Sequence, residues 1–196
     1  MARRSIAREA EAVRERLGRH SVVLVGLMGA GKSSVGRRLA EKLKLDFVDA
    51  DHEIETAAGK SISEIFADHG EPYFREGERR VIARLLGNGA QVLATGGGAY
   101  INDETRARIQ DNGVSVWLNA PLPLLMKRVM KRQDRPLLKA DDPEAVMKKL
   151  IEARYPVYGQ ADVTVESRDV QHGHMVNDVI RALAQWDGWS RFEKHD

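Results

Sequence analysis

Along the chain, short unbroken apolar runs alternate with longer stretches of helical spacing. Val22-Val23-Leu24-Val25 is a continuous apolar run of strand length, the pattern of a strand buried on both faces. Over 34–43 the apolar residues fall at Val35, Leu39 and Leu43, which is helical spacing. Asp46-Phe47-Val48-Asp49 reads as a second strand that ends in acids. Ser61-Ile62-Ser63-Glu64 has the form of a capping box, opening a short helix that stops at Gly70. Pro72 then suits the first turn of a longer helix running to about Leu86. A third strand over 91–95 runs into Gly96-Gly97-Gly98. Further on come a helix over 103–111, a strand over 114–118 and a helix over about 122–131. The segment 132–142 has no apolar periodicity and is dense in charge. Asp142-Pro143 reads as an N-cap with proline at N1, starting a helix to about Arg154. Val163-Thr164-Val165 is a last strand, and a helix over about 173–186 closes the chain.

Strands separated by helices imply right-handed crossovers and an α/β fold with a mainly parallel sheet covered on both faces. Ligands of such sheets bind beyond the C-terminal ends of the strands. The loops after the first three strands therefore converge on one rim.

At 196 residues the chain has room for one well-cored domain, here 21–187. A formal net charge of +2 calls for neither a nucleic-acid nor a membrane partner. Most of the charge asymmetry lies in residues 1–20, where Arg3, Arg4, Arg8, Arg14, Arg16 and Arg19 outnumber Glu9, Glu11 and Glu15. That arm is expected to be a frayed, solvated helical tail, and its acids set it apart from a transit peptide. Residues 188–196 are expected to be a C-terminal tail. No apolar run is long enough to span a bilayer. The absence of cysteine excludes disulfides and thiolate metal sites and fits a reducing cytoplasm.

The chemistry concentrates at the rim. Gly26-Leu27-Met28-Gly29-Ala30-Gly31-Lys32-Ser33 fits the phosphate-binding P-loop pattern without a mismatch, between a strand and a helix. Such a loop surrounds phosphate oxygens with backbone N–H groups and the helix N-terminus. Lys32 would reach the terminal phosphates, the Ser33 hydroxyl would ligate Mg²⁺, and the bound group is a nucleoside triphosphate. Asp49 is placed to join Ser33 on the metal, and Asp51 to accept a proton from an attacking hydroxyl. The same pair also suits ordinary turn and N-cap acids. Arg75 and Glu78 share a helix face, either as site residues or as a surface ion pair. The triple glycine is either a floor that touches a ligand closely or a flexible connector. Arg132, Arg135 and Lys139 form either a segment that closes over phosphates or a solvated loop. Arg154 sits where helix-end cations are common. His172 and His174 read as surface residues, Trp117 as strand core, and Trp186 and Trp189 as packing.

Taken together, six blocks in order make residues 22–185 resemble the shikimate kinases. They are the P-loop, Asp49-Ala50-Asp51, Phe74-Arg75-Glu76-Gly77-Glu78, Gly96-Gly97-Gly98, Arg135-Pro136-Leu137 and Arg154-Tyr155-Pro156-Val157-Tyr158. The resemblance implies a P-loop kinase of the nucleoside-monophosphate-kinase type with a five-stranded parallel sheet. It also implies a substrate-binding segment at 50–80, a mobile lid at 131–142 and an adenine loop near 167–171. The implied reaction is ATP-dependent phosphorylation of the 3-hydroxyl of shikimate, in the route to chorismate and the aromatic amino acids; the fold type and self-sufficient core point to a monomer, and the lack of cysteine to the cytoplasm.

In that scheme Gly29, Ala30, Gly31, Lys32, Ser33 and Ser34 hold the nucleotide, with Arg168 near the adenine. Arg135 closes onto the phosphates. Arg75 and Arg154 clamp the acceptor carboxylate, a contact that suits planar guanidiniums. Asp51 holds and activates the hydroxyl, Asp49 helps hold Mg²⁺, the triple glycine lies against the ring, and Glu78 orients the arginines. Ser34 stands where the family usually carries Thr, and the lid is short compared with some relatives. The rival readings are a related kinase acting on gluconate or a nucleoside monophosphate, and a nucleotide-dependent binding module without an acceptor.

Overall fold

The computed structural model describes residues 2–131, 141–170 and 172–192. Five strands form one sheet: β1 (Ser21–Val25), β2 (Asp46–Asp49), β3 (Gln91–Ala94), β4 (Gly113–Asn119) and β5 (Val163–Glu166). Their order is β2-β3-β1-β4-β5, and every pairing is parallel. The central strand pairs Val22 with Val92 on one side and with Val114 on the other. All five residues of β1 are buried, as a strand flanked on both faces requires. At the edge, β5 alternates, with Val163 and Val165 inward and Thr164 and Glu166 exposed.

The expected elements form, with small shifts at their ends. Helix α2 (Lys32–Leu43) starts directly on the P-loop and buries Val35, Leu39 and Leu43. A β-carbon on its Gly36 would stand 2.5 Å from the Phe47 ring, so the helix sits close on β2 only because that residue has no side chain. Helix α3 (Ala50–Ala58) follows β2. The two helices expected on either side of Gly70 meet as one bent element, α4 (Ile62–Leu86). Gly70 is its non-helical hinge at φ 79° and ψ 176°, and Ser61 and Glu64 form the full capping box. Helices α5 (Asp103–Asn112) and α6 (Leu122–Val129) flank β4 in sequence.

Helix α7 (Pro143–Tyr158) runs one turn past its expected end and takes in Pro156. The extra turn places Arg154 and Tyr158 on one face, four residues apart. The chain closes with α8 (His172–Gln185) and a short 3-10 turn, Gly188–Arg191.

The N-terminal arm corrects the expectation of a solvated tail. Ala2–Leu17 forms helix α1, which packs against α8 and α2. Ile6, Ala10, Val13 and Leu17 recur at helical spacing and are all buried in the main core. The arginines Arg8, Arg14, Arg16 and Arg19 lie on the exposed side, so their charge never opposed packing of the other face. Residues 188–192 also pack: Trp189 and Phe192 are buried, and Arg191 pairs with Asp162 at 2.6 Å. Most of the expected lid, with Arg132, Arg135 and Lys139, lies outside the described residues. Among the described residues, no helix is long and apolar enough to cross a membrane.

Candidate active site

The loops after β1, β2 and β3 open into one cleft of about 770 Å³, which α4, α6, α7 and the segment after β5 complete. On the nucleotide side, Gly26, Gly29 and Gly31 adopt φ of 137°, 83° and 101°. These positive values let successive backbone N–H groups face inward, which side-chain-bearing residues resist. Lys32 folds back over the loop, its Nζ donating to the Gly26 carbonyl at 2.7 Å and the Leu27 carbonyl at 3.1 Å. The Ser33 hydroxyl donates to Asp49 Oδ2 at 2.7 Å. Asp49 Oδ1 accepts from the Asp51 backbone N–H at 3.2 Å and caps α3. Asp49 thus caps a helix with one oxygen while the other meets the P-loop hydroxyl.

The acceptor side is built on the triple glycine. A β-carbon on Gly96 would stand 2.8 Å from both Asp51 Oδ1 and Glu78 Oε1. One on Gly98 would stand 2.5 Å from Arg75 Nη1. Contacts this close rule out a loose connector; the glycines are a floor that charged groups press against. Arg154 Nη1 donates to the Gly97 carbonyl at 3.1 Å, and the Tyr158 hydroxyl donates to the same oxygen. Phe66, Phe74 and Ile62 supply an apolar wall.

Nor is the Arg75–Glu78 pair a surface feature. Glu78 is only 2% exposed, and its Oε2 accepts from Arg75 Nη1 at 2.7 Å, while Oε1 has no hydrogen-bond partner among the described residues. Burial pushes the Glu78 carboxyl above its ordinary range, against the pull of the Arg75 guanidinium, with the Asp51 charge adding to the rise. Burial works against the Arg75 charge too, but Glu78 and Glu71 outweigh it and raise its pKa. Tyr158, fully buried, is pushed up to about 12 chiefly by burial.

Sequence reasoning missed Arg128. From α6 its Nη1 donates to the carbonyls of Gly29 at 3.2 Å and Ala30 at 3.1 Å and to Ser167 Oγ at 3.1 Å. Its Nη2 reaches the Arg168 carbonyl at 3.0 Å. The residue thus ties the P-loop to the segment after β5, and burial lowers its pKa. In the sequence it looks like any cation in the last turn of a helix. Arg168, by contrast, is not brought to the cleft. Its guanidinium pairs with Asp178 on α8, and the nearby wall is formed by Ser167, Asp169 and Val170.

Comparison with known proteins sorts this geometry. A family model described as shikimate kinase matches residues 28–184. The chain is 56% identical over 167 residues to a shikimate kinase of Rhodopseudomonas palustris, covering 85% of this chain and 82% of that one. Its fold is similar to the solved structure of shikimate kinase from Acinetobacter baumannii in complex with shikimate, with TM-score 0.77 and 36% identity, covering 90% and 96% of the two chains. A gluconokinase from Sinorhizobium meliloti shares the fold alone, at TM-score 0.58 and 18% identity over 90% of this chain and 98% of that one. The family match runs from the P-loop through the triple glycine to α8, across every loop that forms the cleft, and the chain belongs to the shikimate kinase family.

Proposed function

We propose that the chain transfers the γ-phosphoryl group of ATP to the 3-hydroxyl of shikimate, yielding shikimate 3-phosphate and ADP. The observation that carries this reading is the pairing of two guanidiniums with one carboxylate across the triple glycine. Arg75 adjoins Gly98, Arg154 binds Gly97, and Asp51 stands over Gly96. A ring acid laid on that floor meets two cations at its carboxylate and Asp51 at a hydroxyl. Planar guanidiniums bind a carboxylate through paired N–H bonds, which fixes orientation as well as charge.

The P-loop backbone and Lys32 receive the phosphates, and Lys32 gives up its carbonyl contacts to stand against the transferring group. Ser33 and Asp49 are hard oxygen donors 2.7 Å apart at the loop, a donor set that suits Mg²⁺. They would hold the ion, whose chemistry there is neutralisation of phosphate charge.

Asp51 takes the hydroxyl proton as the oxygen–phosphorus bond forms and the β,γ-bridging bond breaks. The proton passes to solvent and ADP leaves. The placing of Arg135 on the phosphates rests on family resemblance alone.

Release of ADP from ATP and Mg²⁺, measured with shikimate, gluconate, AMP or no acceptor, tests the proposal. Stimulation by shikimate alone is expected. Stimulation by gluconate or AMP in its place overturns the acceptor, and ATP binding without any stimulation points to a binding module instead.

A further inference from the structure

The Gly97 carbonyl oxygen accepts two hydrogen bonds from α7, one from Arg154 Nη1 at 3.1 Å and one from the Tyr158 hydroxyl. Both donors come from one helix, a single turn apart, with Pro156 between them. In a trans peptide the carbonyl and the following N–H point in opposite directions. Anchoring the Gly97 carbonyl toward α7 therefore also sets the direction of the Gly98 N–H, in a stretch where glycine alone leaves the backbone free to rotate. Tyr158 itself has little freedom. It is fully buried, with its ring among Tyr100, Trp117 and Tyr155 at centroid distances of 6.4, 6.0 and 6.2 Å.

We infer that Tyr158 is a positioning residue for the acceptor: its hydroxyl locks the Gly97–Gly98 peptide and holds Arg154 against the floor on which the acceptor lies. Its raised pKa, about 12, keeps the hydroxyl a donor throughout the neutral range. The shared acceptor also links the floor to α7, the helix that follows the 132–140 segment. The inference deepens the proposed reaction and rests on it for the identity of the acceptor.

Tyr158→Phe is the test, because it removes one oxygen and keeps the ring packing. A neutral hydrogen bond of ordinary strength translates to a rise of about fivefold in KM for shikimate, with KM for ATP within about twofold of wild type. A merely structural role would raise both together. Arg154→Lys should also cost less in the Tyr158→Phe background than in wild type, since the two donors share one acceptor. A ligand-free measurement separates this inference from the acceptor assignment. Hydrogen exchange of the full chain should speed up over 95–101 in Tyr158→Phe and stay unchanged over the P-loop, 26–33. Unchanged exchange at 95–101 overturns the inference whatever the acceptor proves to be. Faster exchange there, in an enzyme that shikimate does not stimulate, keeps the positioning role and removes the acceptor. Faster exchange with equal losses for both substrates overturns the inference.

Discussion

Replacing Gly98 by alanine perturbs the acceptor clamp without touching the backbone. Gly98 sits at φ −100° and ψ −14°, a negative-φ conformation open to residues with a β-carbon. The added carbon would stand 2.5 Å from Arg75 Nη1, 2.6 Å from Nη2 and 2.7 Å from Cζ. Non-bonded heavy atoms settle near ~3.5 Å or beyond, so the guanidinium must retreat by about 1 Å. Nη1 carries the 2.7 Å bond to Glu78, and a retreat of that size ends it. A charge-assisted hydrogen bond contributes about 1.5–3 kcal/mol, so misplacing Arg75 should lower kcat/KM for shikimate by about 10- to 150-fold. ATP affinity should stay within about twofold, because the three atoms nearest that carbon all belong to Arg75. Steady-state ADP release at varied shikimate, with titration calorimetry for ATP, gives both numbers. Gly77→Ala is the matched control: it lies on the helix that carries Arg75, its β-carbon meets open space, and alanine should add about 0.5–1 kcal/mol of stability with kinetics unchanged. If Gly98→Ala keeps wild-type kcat/KM for shikimate, Arg75 is not the clamp.

The remaining predictions probe charge, core and base. Glu78→Gln keeps an acceptor for Arg75 but removes a buried charge. Because the folded carboxyl is held above its ordinary value of 4.5, its burial costs nothing while it is protonated and costs most once pH has risen past the folded pKa. The variant should therefore melt higher than wild type at pH 8, with the gap closing toward pH 4; a pH-independent gap would falsify the linkage. Leu17→Ala removes a fully buried α1 side chain and should cost about 3 kcal/mol, seen as a Tm drop of roughly 6–12 °C. Arg14→Ala, on the exposed face, should cost less than about 0.5 kcal/mol, and equal effects of the two would mean that α1 does not pack as described. Asp51→Asn should lower kcat by about 10²-fold or more with ATP binding kept, and normal turnover removes Asp51 from the mechanism.

The strands and the P-loop were legible because their signals are local. A run such as Val22 to Val25 admits few fates, and the glycine pattern of the loop is tied to backbone angles that its φ values bear out. Gly70 and Pro72 were legible for the same reason, as punctuation whose conformations are restricted whatever surrounds them. Helix α1 carried an equally local signal, Ile6, Ala10, Val13 and Leu17 at helical spacing, but the arginines between them drew the reading toward a solvated arm. Charge on one face of a helix says nothing about the other.

What the sequence left open depends on tertiary approach. Nothing near Glu78 says that it is buried, because its burial comes from the triple glycine, 18 residues away. Arg128 reads as a helix-end cation until α6 is laid beside the P-loop, where it holds Gly29, Ala30 and Ser167 together. Tyr158 reads as the last residue of a motif whose arginine takes the attention. The strand order accounts for all three. With β3 beside β1 and β4 on β1's other side, the triple glycine lands next to the P-loop, and α6 and α7, which follow β4 and pack against each other, both reach the cleft. The residues hardest to read are those that join loops from different strands. Mutating them should uncouple the acceptor half of the cleft from the nucleotide half rather than abolish either one.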